Sequence, residues 1–138
     1  MKERGFSKQE RICNRDDFEL LLSDGASFFS YPFNCLYCFK KTPDFSARIA
    51  ISVSKKKIKL ATSRNRIKRK IRESYRLEKH SLYKQFQNLP IGVDMLIIYV
   101  EKKQLGYNLI KKGLRVLIKK MSDAVHTSYS SLDSSEIG

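Results

Sequence analysis

Asn65, Arg69, Arg72 and Arg76 recur at i, i+4, i+7 and i+11, the spacing of one face of an α-helix. Arg66 and Lys68 flank this row. Aligned cations of this kind follow a line of phosphates, and each guanidinium adds a two-pronged geometry toward paired phosphate oxygens. Asn65 differs from its neighbours because it carries both a donor and an acceptor, suited to fixing an arginine rotamer or reading a nucleotide edge. On the opposite side of the same helix Leu60, Ile67, Ile71 and Tyr75 form an apolar stripe that predicts burial. The chemistry on offer is electrostatic: capture of a polyanion.

The row lies in a wider block. Lys55–Arg76 holds 11 of the 28 Lys and Arg residues and a single acid, Glu73, so its net charge of +10 is most of the chain's +14. A helix that is merely solvated usually mixes signs and sets Glu four residues from Lys. This block does not, which favours a nucleic-acid backbone as its partner. Lys55, Lys56 and Lys57 would extend the positive surface from the end of a strand; for any one of them, a charged loop that keeps the strand end soluble is an equal reading.

Other chemistry is poorly supported. The only histidines are His80 and His126, and neither a paired carboxylate site nor a glycine-rich phosphate loop is visible. Cys13, Cys35 and Cys38 cannot close a disulfide framework. Cys35 and Cys38 form a CxxC, but residues three apart on a strand point to opposite faces. Reduced, buried structural cysteines are expected. No stretch approaches the ~20 apolar residues of a membrane span, and no apolar segment follows the charged start. The expected compartment is the cytoplasm.

Several elements must position these residues. Asn14 suits the cap of a helix from about Arg15 to Ser23, with Phe18, Leu21 and Leu22 as its apolar stripe and Gly25 at its end. Strands are predicted at 27–29, 33–40 and 48–53. The basic helix follows from about Leu60 to Lys79. Residues 87–92 read as a loop, and 95–100 (MLIIYV) as a central strand covered on both faces. A last helix runs from about Leu105 to Met121, burying Leu109, Ile110, Leu114, Leu117, Ile118 and Met121. Residues 122–138 carry no base and three acids and are rich in serine, which reads as a disordered tail. One domain over 1–121 of class α+β results, with strands on both sides of the long helix implying a crossover within one sheet. Phe18, Phe33 and Tyr37 are candidates for stacking on unpaired bases, a contact worth ~1–3 kcal/mol each; for any one of them core packing is the more ordinary role.

The segment ARIAISVSKKKIKLATSRNRIKRKIRESYR resembles the signature of the bacterial ribonuclease P protein component. The matching residues are Val53, Ser54, Lys55, Lys56 and Ala61, then Arg64-Asn65-Arg66-Ile67-Lys68-Arg69 and Arg72. The likeness spans about residues 6–121. It implies a single-domain αβββαβα sandwich of the ribosomal protein S5 domain 2-like kind, with a left-handed βαβ crossover. It also implies that the protein joins a catalytic RNA to remove the 5′ leader of precursor tRNA, while the RNA and its Mg2+ ions carry out hydrolysis. On this resemblance Arg64, Asn65, Arg66, Lys68, Arg69 and Arg72 meet the RNA subunit and nearby substrate. The cleft between the first helix and the sheet holds the leader, lined by Phe18, Phe33 and Tyr37. Many members carry a second aromatic one turn after the Phe; Leu22 stands there in this chain. The implied partners are the RNA subunit and precursor tRNA, with no obligate protein partner, no membrane and no protein-bound cofactor. Two other readings share some of these features: a non-catalytic RNA-binding module such as a ribosomal protein, and a self-contained nuclease.

Overall fold

The structure, a computed structural model, describes residue 12 and residues 15–137. Its elements are α1 (Arg15–Asp24), β1 (Ala26–Ser30), β2 (Phe33–Lys41), β3 (Ser46–Val53), α2 (Ala61–Phe86), β4 (Ile91–Tyr99) and α3 (Tyr107–Ile137). The order is αβββαβα, an α+β fold. One four-stranded sheet runs β1-β2-β4-β3, with β3 parallel to β4 and the other pairs antiparallel.

Strand alternation divides the sheet into two faces. Odd-numbered residues of β2, β3 and β4 lie in register on one face. Phe33, Cys35, Ile49, Met95, Ile97 and Tyr99 there form the core with Ile67, Ile71 and Tyr75 of α2 and Ile110, Leu114 and Leu117 of α3. Even-numbered residues, among them Leu36, Arg48, Asp94 and Leu96, make the other face, where Arg48 reaches Asp17 of α1. Residues 91–97 and 99 of β4 are buried, so of the predicted run 95–100 all but the half-buried Ile98 and Val100 are covered. The strand begins four residues before the predicted Met95, and so takes in the end of the predicted loop.

Backbone pairing fixes the hand of the β3–α2–β4 crossover. The N–H groups of Val100 and Thr42 donate to the carbonyls of Pro32 and Pro90 at 3.0 and 3.5 Å. Even-numbered residues of β4 therefore turn their amides toward β2, and odd-numbered ones toward β3. The odd side chains face the helices. For L-residues this places β3 to the right of β4 when β4 runs upward and the helices face the viewer. Passage from β3 through α2 to β4 then moves leftward. The crossover is left-handed, against the usual right-handed rule.

Helix boundaries and stripes depart from expectation in five places. Leu60 is the extended residue before α2 (φ −80°, ψ 127°) and is 67% exposed, so it leaves the buried stripe. Leu82 and Phe86 continue that stripe and carry α2 past Lys79. On α3, Leu109 faces solvent, while Val125 is fully buried and the ring of His126 meets Phe86 at 4.9 Å. The helical stripe thus continues beyond Met121, where the serine-rich composition suggested a tail. On α1, Leu21 is buried but Leu22 is exposed. The predicted cap Asn14 lies outside the described residues, as does Cys13. Among the described residues no helix is long and apolar enough to cross a membrane.

Candidate nucleic-acid interface

The apolar stripe of α2 pins one side of the helix to the sheet and leaves the opposite side as a ledge beside β3. Asn65, Arg66, Arg69 and Arg72 are exposed on that side, and Lys68 and Arg76 are half-buried. A shallow concavity of about 490 Å³ is lined by Asn65, Arg69, Arg72, Glu73 and Arg76. A second, of about 340 Å³, lies where Asn65, Lys68 and Arg72 meet Ile12 and Ile49, Ala50 and Ile51 of β3. Asn65 and Arg72 belong to both, so the two hollows form one trough running from the helix onto the sheet edge.

Glu73 sits within this surface without cancelling it. It pairs with Arg76, whose Nε donates to Oε2 at 3.3 Å. The Arg76 hydrogen bond holds the Glu73 carboxyl below its ordinary range, and Glu73 in turn raises the guanidinium. The pair is one turn of helix in length and orients Arg76 along the row.

The loop before α2 is built partly from its own cations. Lys57 Nζ donates to the carbonyl of Val100 at 2.9 Å. Arg64 Nη1 donates to the carbonyls of Ile58 and Lys59, both at 2.9 Å. These bonds tie the 54–60 turn to the start of the helix and to the end of β4, while Ile58 is buried beneath. Lys57 and Arg64, expected as RNA contacts, therefore hold the loop in place with these groups. Lys55 and Lys56 are exposed. Charge alone cannot separate the two roles; the difference lies in which cations find carbonyls nearby.

The aromatic candidates do not share one surface. Phe18 is half-buried on α1. Phe33 and Tyr37 pair with Tyr99 and Met95 and so lie on the sheet face that packs against α2 and α3. Phe33 is fully buried, with its ring 6.3 Å from that of Tyr99. Neither residue lines the cleft beside α1, which corrects the sequence expectation. The face turned toward α1 carries Asn34 and Leu36, both half-buried. Leu36 and Asn34 carry no aromatic signal, but the period-2 rule, anchored on the apolar Phe33 and Cys35, assigns them to this face.

The CxxC separates as its spacing predicts. Cys35 is buried, and burial pushes its thiol up to about 12; Cys38 is half-buried on the other face. Among the described residues no group of three or more His, Cys, Asp or Glu side chains is gathered to hold a metal ion.

A family model described as Ribonuclease P matches residues 6–122, most of the chain, including α2 and the β3 edge that form the trough. The chain belongs to the bacterial ribonuclease P protein family. A ribonuclease P protein component of Porphyromonas gingivalis is 28% identical over 125 residues, covering 90% of this chain and 91% of the relative. One from Legionella pneumophila is 33% identical over 107 residues, covering 75% and 83%. Among solved structures, the ribonuclease P protein of Staphylococcus aureus superposes with a TM-score of 0.61 at 28% identity, over 83% of this chain and 96% of that one. The protein from Thermotoga maritima gives 0.61 at 30% identity, over 80% and 96%. The family is a component of an endoribonuclease of tRNA processing, and its partner is an RNA subunit.

Proposed function

We propose that this chain binds the RNA subunit of ribonuclease P through the α2 row and the β3 edge. In the same reading it binds the 5′ leader of precursor tRNA along the cleft between α1 and the even face of the sheet. It thereby assists endonucleolytic removal of the leader. The observation that carries the reading is the shared position of Asn65 and Arg72 in both hollows, which makes one cationic trough of helix and sheet edge. A trough of this shape takes a folded phosphate backbone, with Arg69 and Arg72 as two-pronged donors and Lys68 as a point charge.

Hydrolysis belongs in this reading to the RNA with its Mg2+ ions. The side chains of the trough supply cations and an amide, and these position phosphates and raise the local concentration of counter-ions and substrate. Phe18 supplies an aromatic surface and Leu22 an apolar one where the leader enters. The site of action is the cytoplasm, where precursor tRNA is made in bacteria.

Recovery of bound RNA from cells tests the reading against its rivals. Ribonuclease P RNA should be the enriched species, and the purified chain freed of RNA should leave precursor tRNA intact. Enrichment of ribosomal RNA would point to a ribosomal role, and cleavage by the protein alone to a self-contained nuclease.

A further inference from the structure

Helix α3 repeats the spacing of α2. Asn108, Lys112, Arg115 and Lys119 stand at i, i+4, i+7 and i+11, the same offsets as Asn65, Arg69, Arg72 and Arg76, and all four are exposed. Residues 102–122 contain seven Lys and Arg residues and no acid. The buried stripe of α3, Ile110, Leu114, Leu117, Ile118 and Met121, turns the row away from the sheet. The α2 row opens toward β3, and no residue of α3 lines its two hollows.

Not every cation of α3 belongs to the row. Lys120 Nζ donates to the carbonyl of Phe29 at 2.6 Å and ties the helix to the edge strand. Arg115 Nε donates to Glu78 Oε1 of α2 at 3.3 Å, which orients its guanidinium along the outer surface while its side chain stays 63% exposed. Lys112 and Lys119 extend on either side of it. From Asn108 to Lys119 the row is on the order of 16 Å long at ~1.5 Å per residue, enough for several consecutive phosphates of one strand.

We infer that the outer face of α3, centred on Lys112, Arg115 and Lys119, is a second binding site for the phosphodiester backbone of a structured RNA. The site lies outside the α2–β3 trough and lets the protein hold two separated segments of RNA at once. Charge complementarity favours this occupant: α3 itself offers cations at helical intervals with no acid before Asp123, and Glu78 of α2 meets the central Arg115 through Nε. The arginine at its centre matches a phosphate's paired oxygens. The contact is sequence-independent, since the row holds one amide and no aromatic. The inference takes its RNA, but not its geometry, from the functional reading above.

Acylation of lysines in the native full-length protein tests it directly, with and without ribonuclease P RNA. Lys112 and Lys119 should react severalfold more slowly in the complex. A variant carrying Lys112→Gln, Arg115→Gln and Lys119→Gln should lower the slope of log affinity against log salt by about 2 units on this RNA, beyond any loss from Arg69→Ala and Arg72→Ala. Unchanged lysine reactivity overturns the site, and so does an unchanged slope. Loss of binding to phosphatidylserine vesicles, with RNA binding intact, overturns it in favour of a membrane surface, for which exposed Leu109 and Val116 would be the apolar contacts. The two proposals fail separately. Protection of Lys112 and Lys119 without stimulated cleavage leaves this site standing and removes the subunit reading; stimulated cleavage without protection does the reverse.

Discussion

Arg48 of β3 grips Asp94 of β4 with two donors, Nε at 2.9 Å and Nη2 at 2.7 Å. The same Nη2 lies 2.8 Å from Asp17 of α1. Asp94 is 3% exposed on a central strand, where a charge is tolerated only when paired. One guanidinium therefore makes a buried carboxylate acceptable and fastens α1 over the sheet. It sets one wall of the proposed leader cleft.

Removal of Arg48 as Arg48→Met should destabilise the fold by roughly 3 kcal/mol, the low end for breaking a buried pair, because Lys40 still reaches Asp94 at 3.4 Å. The double variant Arg48→Met with Asp94→Leu should lose less than either single change predicts by addition. A denaturant double-mutant cycle measures this, and simple additivity would show that the two residues do not act as a pair.

Phe18 and Phe33 should behave differently although both were candidates for stacking. Phe18→Ala should weaken binding of precursor tRNA with long leaders more than short ones, by about 1–3 kcal/mol for one lost stack. Phe33→Leu should leave leader selectivity unchanged. Phe33→Ala should cost about 3–5 kcal/mol of stability, as for any fully buried ring. Affinities across a leader-length series, alongside denaturant melts, separate the two. Equal losses at every leader length for Phe18→Ala would make it a core residue.

Cys35 should be inert to thiol reagents in the native state and react only on unfolding. Its folded thiol, pushed up to about 12, lies above the ordinary value of 9.0. The unfolded chain therefore releases the proton first. Stability from this group is complete below pH 9 and falls as pH rises from there toward 12, by up to about 1.4 kcal/mol per pH unit. The difference between the native chain and Cys35→Ala over that window isolates the effect; parallel curves would contradict it.

Gly113 marks a close crossing of α3 over the β1–β2 turn. A Cβ there would meet the carbonyl oxygen of Tyr31 at 2.4 Å and Pro32 Cδ at 2.6 Å. Ser30 Oγ donates to the Gly113 carbonyl at 3.1 Å, which locks the same contact. Gly113→Ala should cost about 1–3 kcal/mol by overpacking, despite the better helix propensity of Ala. A melting temperature at or above that of the native chain would show that the helix can move away.

The sequence made the basic row and the central strand legible because both depend on one-dimensional period. Asn65, Arg69 and Arg72 needed only 3.6-residue spacing, and the MLIIYV run needed only its lack of polar residues. Helix ends were harder. Leu60 fits the period of α2 but precedes its first turn, and Val125 fits the period of α3 although it lies in the serine-rich segment 122–138. The roles of Arg64 and Lys57 were hidden, since a carbonyl partner leaves no mark in charge counts. The cleft lining is not legible from residue type: Phe33 and Tyr37 are aromatic, whereas the alternation of β2 assigns Asn34 and Leu36 to the face of α1. The Arg48–Asp94 pair joins residues 46 apart and carries no local signature.

Reconstituted cleavage of precursor tRNA tests the central claim most directly. The chain is added to bacterial ribonuclease P RNA at low Mg2+, where the RNA alone is slow. The account predicts that the chain raises the cleavage rate, and that Arg69→Ala with Arg72→Ala abolishes most of that gain while flattening the salt dependence by about two units of slope. A cleavage rate unchanged by the native chain would contradict it.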